Sequence, residues 1–279
     1  MKQLRIISLI CALCLFLSAC ASQQPEDGSS TEPPNTVRIT IPEGASAADI
    51  GGLMEQNGLF TRSEFLAEVN RGNADSPLVQ EIGDWENRAF LLEGYLFPDT
   101  YEFYRDDSPE RVIQKLLDNL EKKITGTQKA RAKEFDMTMD EVLTLASIIQ
   151  AEAGDPAQMK TVSSVLHNRL NSKSHPKLEC DVTIFYLEQE VQPYLTEDKD
   201  RFNSFYNTYK CTCLPEGPIC NPGMDAINAA LNPEQTDYFY FATDKAGKYY
   251  YAKTLAEHQK NWNAIKKVNA ALTTAAQAN

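Results

Sequence analysis

The chain has 279 residues, 42% of them hydrophobic, and a formal net charge of −12. That apolar fraction suits a globular protein. The acidic balance argues against nucleic-acid partners and against binding by simple attraction to anionic polymers, so contact with any such polymer must be local and specific.

The N-terminus reads as an export signal. Lys2 and Arg5 form a positive start, and Ile6 to Leu17 is an apolar run of twelve residues. A membrane span needs about 20. The run ends in Leu17-Ser18-Ala19-Cys20, small residues before a cysteine, which predicts a lipoprotein signal over 1–19 and lipidation at Cys20. Two or more acyl chains hold a protein stably on a membrane. Losing Lys2 and Arg5 would take the mature chain from −12 to −14. Residues 20–36 are rich in Pro, Ser, Gln and acid, and predict a disordered tether.

Val37–Ile41 alternates and is β-branched, which predicts a strand. Ser46 caps a helix over 47–57 with Ile50, Leu53 and Met54 on one face, and Thr61 caps a second with Phe65, Leu66 and Val69 inward. This strand–helix–helix set, 37–75, reads as a small unit of its own. Residues 90–101 are dense in aromatics with Gly94 and Pro98 inside, neither a clean helix nor a central strand. Ser108-Pro109 opens a long helix to about residue 124. Thr138 and Glu141 form a capping box for the next, which carries Val142, Leu145, Ile148 and Ile149 and stops at Gly154. Asp155-Pro156 begins another, through Leu170. Tyr238–Thr243 and Tyr249–Tyr251 predict a hairpin, and 269–279 a C-terminal tail. The mixture predicts an α+β fold.

One acid stands out. Glu152 falls three, four and seven residues after Ile149, Ile148 and Leu145, on the apolar stripe of its helix. Burial and the negative helix end both favour a protonated carboxyl there, the state that glycosidic cleavage needs. The plain alternatives are a surface glutamate or one paired with a buried arginine such as Arg169. His258 reads as a satisfied helix histidine, and the tyrosines at 249–251 as sheet packing.

Four cysteines remain after the signal and anchor: Cys180, Cys211, Cys213 and Cys220. An even number in an oxidising compartment favours disulfides, with Cys180 joined to one of the Cys211/Cys213 pair and Cys220 to the other. The spacing is poor for zinc, and free thiols are the third reading.

Four ordered segments carry a resemblance. Glu93-Gly94-Tyr95-Leu96-Phe97-Pro98-Asp99-Thr100; Leu145 to Glu152 with Asn168-Arg169-Leu170; Leu178-Glu179-Cys180-Asp181-Val182-Thr183; and Tyr206-Asn207-Thr208-Tyr209 with Leu214 to Gly223 and Leu255 to His258 are similar to motifs of the endolytic murein transglycosylase (YceG-like) family. The resemblance spans about residues 88 to 265. It implies a LysM-like module at 37–75, a mixed α/β catalytic domain at 80–268, and cleavage of peptidoglycan glycan strands with Glu152 as the catalytic acid and no metal or organic cofactor; the alternatives are a catalytically inactive glycan-binding lipoprotein of the same fold and a peptidoglycan hydrolase. It further implies that Asp99, Asn168, Asp181, Thr183, Tyr206 and Asn207 bind substrate, and that the chain works on the outer face of the cell membrane beside wall-synthesis machinery. Five positions depart from the family pattern: Gln150, Val182, Cys213, Glu216 and Tyr249.

Overall fold

The computed structural model describes residues 35–83, 85–194, 200–211 and 213–277. The signal, Cys20 and the tether up to residue 34 lie outside the described residues. Among those described, no helix is long and apolar enough to cross a membrane.

Strand β1 (Thr36–Thr40) leads into helices α1 (Ala47–Gln56) and α2 (Arg62–Arg71). Both helices begin with a complete capping box, Ser46 with Asp49 and Thr61 with Glu64. Gly72 ends α2 in the left-handed conformation (φ 61°). A single turn, α3 (Pro77–Gln80), precedes β2 (Thr100–Tyr104). β2 pairs antiparallel with β1, from Thr36 opposite Tyr104 to Thr40 opposite Thr100. The opening strand is thus completed by a partner some sixty residues away, and one hydrophobic core runs from Ile39 through the helices to Leu231.

Helices α4 (Pro109–Lys123) and α5 (Gly126–Glu134) follow. α4 buries Val112, Ile113, Leu116, Leu117 and Leu120 on one stripe. Helix α6 (Met139–Glu152), capped by the Thr138–Glu141 box, is buried at every position from Val142 to Ile149. An all-round apolar helix belongs at the centre of a fold, and α10 (Met224–Leu231) and α7 (Met159–Leu170) pack on α6. A 3₁₀ turn at Pro156–Gln158 separates α6 from α7, because Pro156 cannot continue a helix. Short helices α8 (Val182–Tyr186) and α9 (Arg201–Tyr206) flank a π-helical stretch at Leu187–Val191. The hairpin β3 (Tyr240–Thr243) and β4 (Tyr249–Ala252) leads into α11 (Leu255–Gln277), which runs past the expected boundary at 268 into the segment expected to be a tail.

The aromatic segment around residue 95 is the keystone. Glu93 is fully buried and accepts from the Ala47 N–H at the start of α1 (2.9 and 3.1 Å), from Asn221 Nδ2 (2.9 Å) and from the Tyr186 hydroxyl (3.3 Å). Burial pushes its carboxyl up to about 8. Gly94 has φ +85°, and an added Cβ would lie 2.3 Å from Pro218 Cγ. The Tyr95 hydroxyl donates to Asp140 at the start of α6 (2.6 Å), which also pairs with buried Arg88. One turn therefore ties α1, α6, α8 and the 218–221 loop together.

Candidate active site

Glu152 ends α6, half-buried, opening into a cleft of about 620 Å³. Its carboxyl is pushed up to about 7. Burial is the main cause; the charge of Asp181 adds to it, and a hydrogen bond with the Cys180 thiol acts the other way. Both neighbours line the same cleft. Arg169 does not pair with Glu152. It is buried and spends its donors on the carbonyls of Phe239 (2.7 Å), Lys177 (3.1 Å) and Leu178 (3.0 Å) and on the Glu179 carboxylate (2.9 Å).

The loop that brings Cys180 and Asp181 to the acid is built tightly. Glu179 adopts a left-handed backbone (φ 54°), a conformation that costs energy for a non-glycine residue and clusters at functional sites. The Cys180 N–H donates to Thr208 Oγ1 (2.8 Å), and the Thr183 hydroxyl donates to the Cys180 carbonyl (2.8 Å). The Tyr209 hydroxyl donates to Asp181 (2.7 Å), which holds that carboxylate in place. From the other side, the Tyr249 hydroxyl accepts from the Gly154 N–H (3.1 Å) and donates to the Glu152 carbonyl (3.2 Å). Gln150, on another face of α6, accepts from the Gly223 N–H (3.0 Å) and braces the following loop.

Of the six residues expected to bind substrate, the structure brings only Asp181 into the cleft with Glu152. Asp99 sits beside β2, where Asn119, the Thr100 N–H and Lys123 hold its carboxyl below the ordinary value. Asn168 donates to the Thr236 and Tyr238 carbonyls (2.9 Å each), fixing the approach to β3. Thr183 is buried beneath the Cys180 loop, and Tyr206 is buried with its hydroxyl accepting from the Ala89 N–H (3.2 Å). Asn207 closes the end of α9, with Nδ2 donating to Asn203 (2.9 Å). These five position the framework instead of lining the cleft.

The expected disulfides are not formed: all four thiols are free. Cys180 faces Glu152 and the Leu178 carbonyl (3.6 Å), whereas Cys220 is buried against the Ser147 carbonyl (3.4 Å). Cys211 leans on the Cys213 carbonyl (3.7 Å). Among the described residues no group of acids, histidines and cysteines is arranged to hold a metal ion.

Sequence reasoning missed the cleft's other wall. Phe185 and Tyr209 stand on the side of α8, and Tyr240, Leu255, His258 and Trp262 on the side of β3 and α11. The four-residue step from His258 to Trp262 was the available signal, since it puts both on one helix face.

The arrangement defines an α+β protein with an open, aromatic-rimmed cleft into which a carboxylic acid opens whose ionisation is pushed up to about 7. The chain belongs to the YceG-like family, whose model matches residues 23–264. It is 33% identical over 230 residues to the endolytic murein transglycosylase of Bacillus subtilis, covering 80% of this chain and 63% of that protein. It is 31% identical over 257 residues to the endolytic murein transglycosylase of Streptococcus pneumoniae, covering 85% of this chain and 46% of that one. The chain thus spans less than two thirds of either relative. A crystal structure of a yceG-like protein from Listeria monocytogenes superposes with a TM-score of 0.65 at 31% identity, covering 80% of this chain and 75% of that one.

Proposed function

We propose that this protein is an endolytic peptidoglycan lytic transglycosylase. The observation that carries the reading is Glu152: a half-buried carboxyl, raised to about 7, opening into a cleft large enough for sugar rings. A neutral acid there donates its proton to the glycosidic oxygen of a MurNAc–GlcNAc β-1,4 bond as the C1–O bond breaks. The resulting carboxylate takes the proton from the MurNAc C6 hydroxyl, whose oxygen closes on C1 to give a 1,6-anhydro end. Glu152 finishes protonated, as it began, and no water is consumed. Asp181, oriented by the Tyr209 hydroxyl, places its carboxyl near the developing oxocarbenium ion.

In this reading Cys20 carries the lipid anchor and residues 20–36 the tether; a LysM-like module begins at 37 and, since β1 pairs with β2, takes in Thr100–Tyr104, and the catalytic domain runs on into α11. The protein then works on the outer face of the membrane, beside the wall-synthesis machinery.

Asp181 also supports a second reading. Three carboxylates line the cleft, and with Glu179 paired to Arg169, Glu152 and Asp181 suit a glycan hydrolase in which Asp181 would activate a water. Mass analysis of products from purified peptidoglycan decides. Anhydro ends support the transglycosylase, reducing ends the hydrolase, and an undigested polymer leaves a glycan-binding scaffold.

A further inference from the structure

Among the described residues, eight large hydrophobic side chains are exposed, and four of them rim the Glu152 cleft: Phe185, Tyr209, Leu255 and Trp262. Such gathering marks a binding surface instead of chance exposure. The α11 side is the more elaborately built. The Arg169 guanidinium lies over the Tyr240 ring (5.2 Å), Tyr240 stacks on His258 (5.1 Å, 26°), and His258 meets the edge of Trp262 (6.1 Å, 78°). Trp262, 44% exposed, ends this ladder at the rim.

The hydrogen bonding within the ladder fixes a protonation state. Trp262 Nε1 donates to His258 Nε2 (3.0 Å). An indole N–H only donates, so Nε2 is the acceptor and the proton of the neutral ring sits on Nδ1. Burial and the nearby Arg169 charge hold His258 below the ordinary imidazole value, which keeps the ring neutral. Nδ1 is buried and has no hydrogen-bond partner. A buried donor left unmade is costly, and such a group in a cleft wall asks for an external acceptor.

We propose that the α11 face bearing His258 and Trp262 is a sugar-binding wall, in which Trp262 offers a stacking surface and locks His258 as an Nδ1–H donor for a carbonyl oxygen of the bound strand. The acetamido group and the lactyl ether-linked carboxyl of peptidoglycan sugars both supply that acceptor. A joint shift of His258 and Trp262 on ligand entry, with the bond between them kept, presents the donor, an ordinary response at binding surfaces. This wall deepens the proposed function and rests on it for its ligand.

The test uses the full chain carrying Glu152→Gln, so that a GlcNAc–MurNAc tetrasaccharide binds without being cut. Nitrogen-15 NMR of His258 should show the proton on Nδ1 before ligand is added and a shifted Nδ1 resonance afterwards. His258→Phe keeps the ring stack but removes the donor, and should weaken binding roughly tenfold, as the loss of one buried hydrogen bond does. Trp262→Phe keeps a stacking surface and should release the tautomer, moving the proton toward Nε2. A proton found on Nε2 in the parent, or equal binding by His258→Phe, overturns the wall while leaving the cleft's function standing. A parent that binds no tetrasaccharide overturns both.

Discussion

Replacing Glu152 with Gln should abolish glycan cleavage and, at alkaline pH, stabilise the fold. The carboxyl ionises at about 7 in the folded protein instead of its ordinary 4.5. That rise corresponds to about 3 kcal/mol against the charged form, and the half-exposed position reduces it to roughly 2 kcal/mol. The sign follows from linkage. The folded state holds this proton more tightly than the unfolded chain, so the group's contribution is complete below pH about 4.5. It falls as pH rises toward about 7 and is gone above that. Gln is neutral throughout and of similar size. Parent and variant should therefore unfold together in urea at about pH 4. At about pH 8.5 the variant should be more stable by roughly 2 kcal/mol, or about 4–8 °C in Tm for a fold of this size. Glu93 also titrates in this range, to about 8, but it is common to both proteins and cancels in the difference. Equal stability at both pH values, or a variant weaker at the higher one, would mean that Glu152 is well solvated, and the acid assignment would fall with it.

Three further outcomes are expected. Asp181→Asn removes a charge that opposes Glu152 ionisation, so the alkaline limb of the cleavage–pH profile should move to lower pH; an unmoved limb separates Asp181 from the acid. Asn168→Ala deletes two hydrogen bonds to backbone carbonyls and should cost about 1–3 kcal/mol in urea unfolding with KM little changed. A raised KM at full stability would return Asn168 to the sugar. Gly94→Ala forces a side chain into a left-handed turn against Pro218 and should lose at least about 2 kcal/mol in the same assay, so a normal midpoint would contradict the turn as described.

Local chemistry was legible in the sequence, and long-range pairing was not. The Ser and Thr caps placed the starts of α1, α2 and α6 because a capping box is satisfied within four residues. The period of α6 was enough to place Glu152 at the cleft end of its buried stripe. No local signal could join β1 to β2, since the partners are separated by sixty residues and the 95–101 segment is interrupted by Pro98. Motif membership also misled. Asn168 and Tyr206 carry the same residue types as sugar-binding positions, yet Asn168 Nδ2 donates to two carbonyls and the Tyr206 hydroxyl accepts from a backbone N–H. Only the tertiary structure distinguishes a polar group facing a ligand from one facing its own backbone. The cysteines erred for a related reason: spacing limits which thiols can meet, but Cys180 is turned toward the acid and Cys220 toward Ser147.

The Tyr249 hydroxyl grips both sides of the break after α6, the Glu152 carbonyl and the Gly154 amide. It comes from a two-stranded ribbon whose residues are mostly half-exposed, while α6 from Val142 to Ile149 is locked in the core. Warming that loosens this ribbon first would unlatch the last helical turn and let the acid wander before the body of the protein melts. Heat should therefore silence the protein several degrees before it unfolds it, and cooling from that interval should bring the lost turnover back without any refolding step.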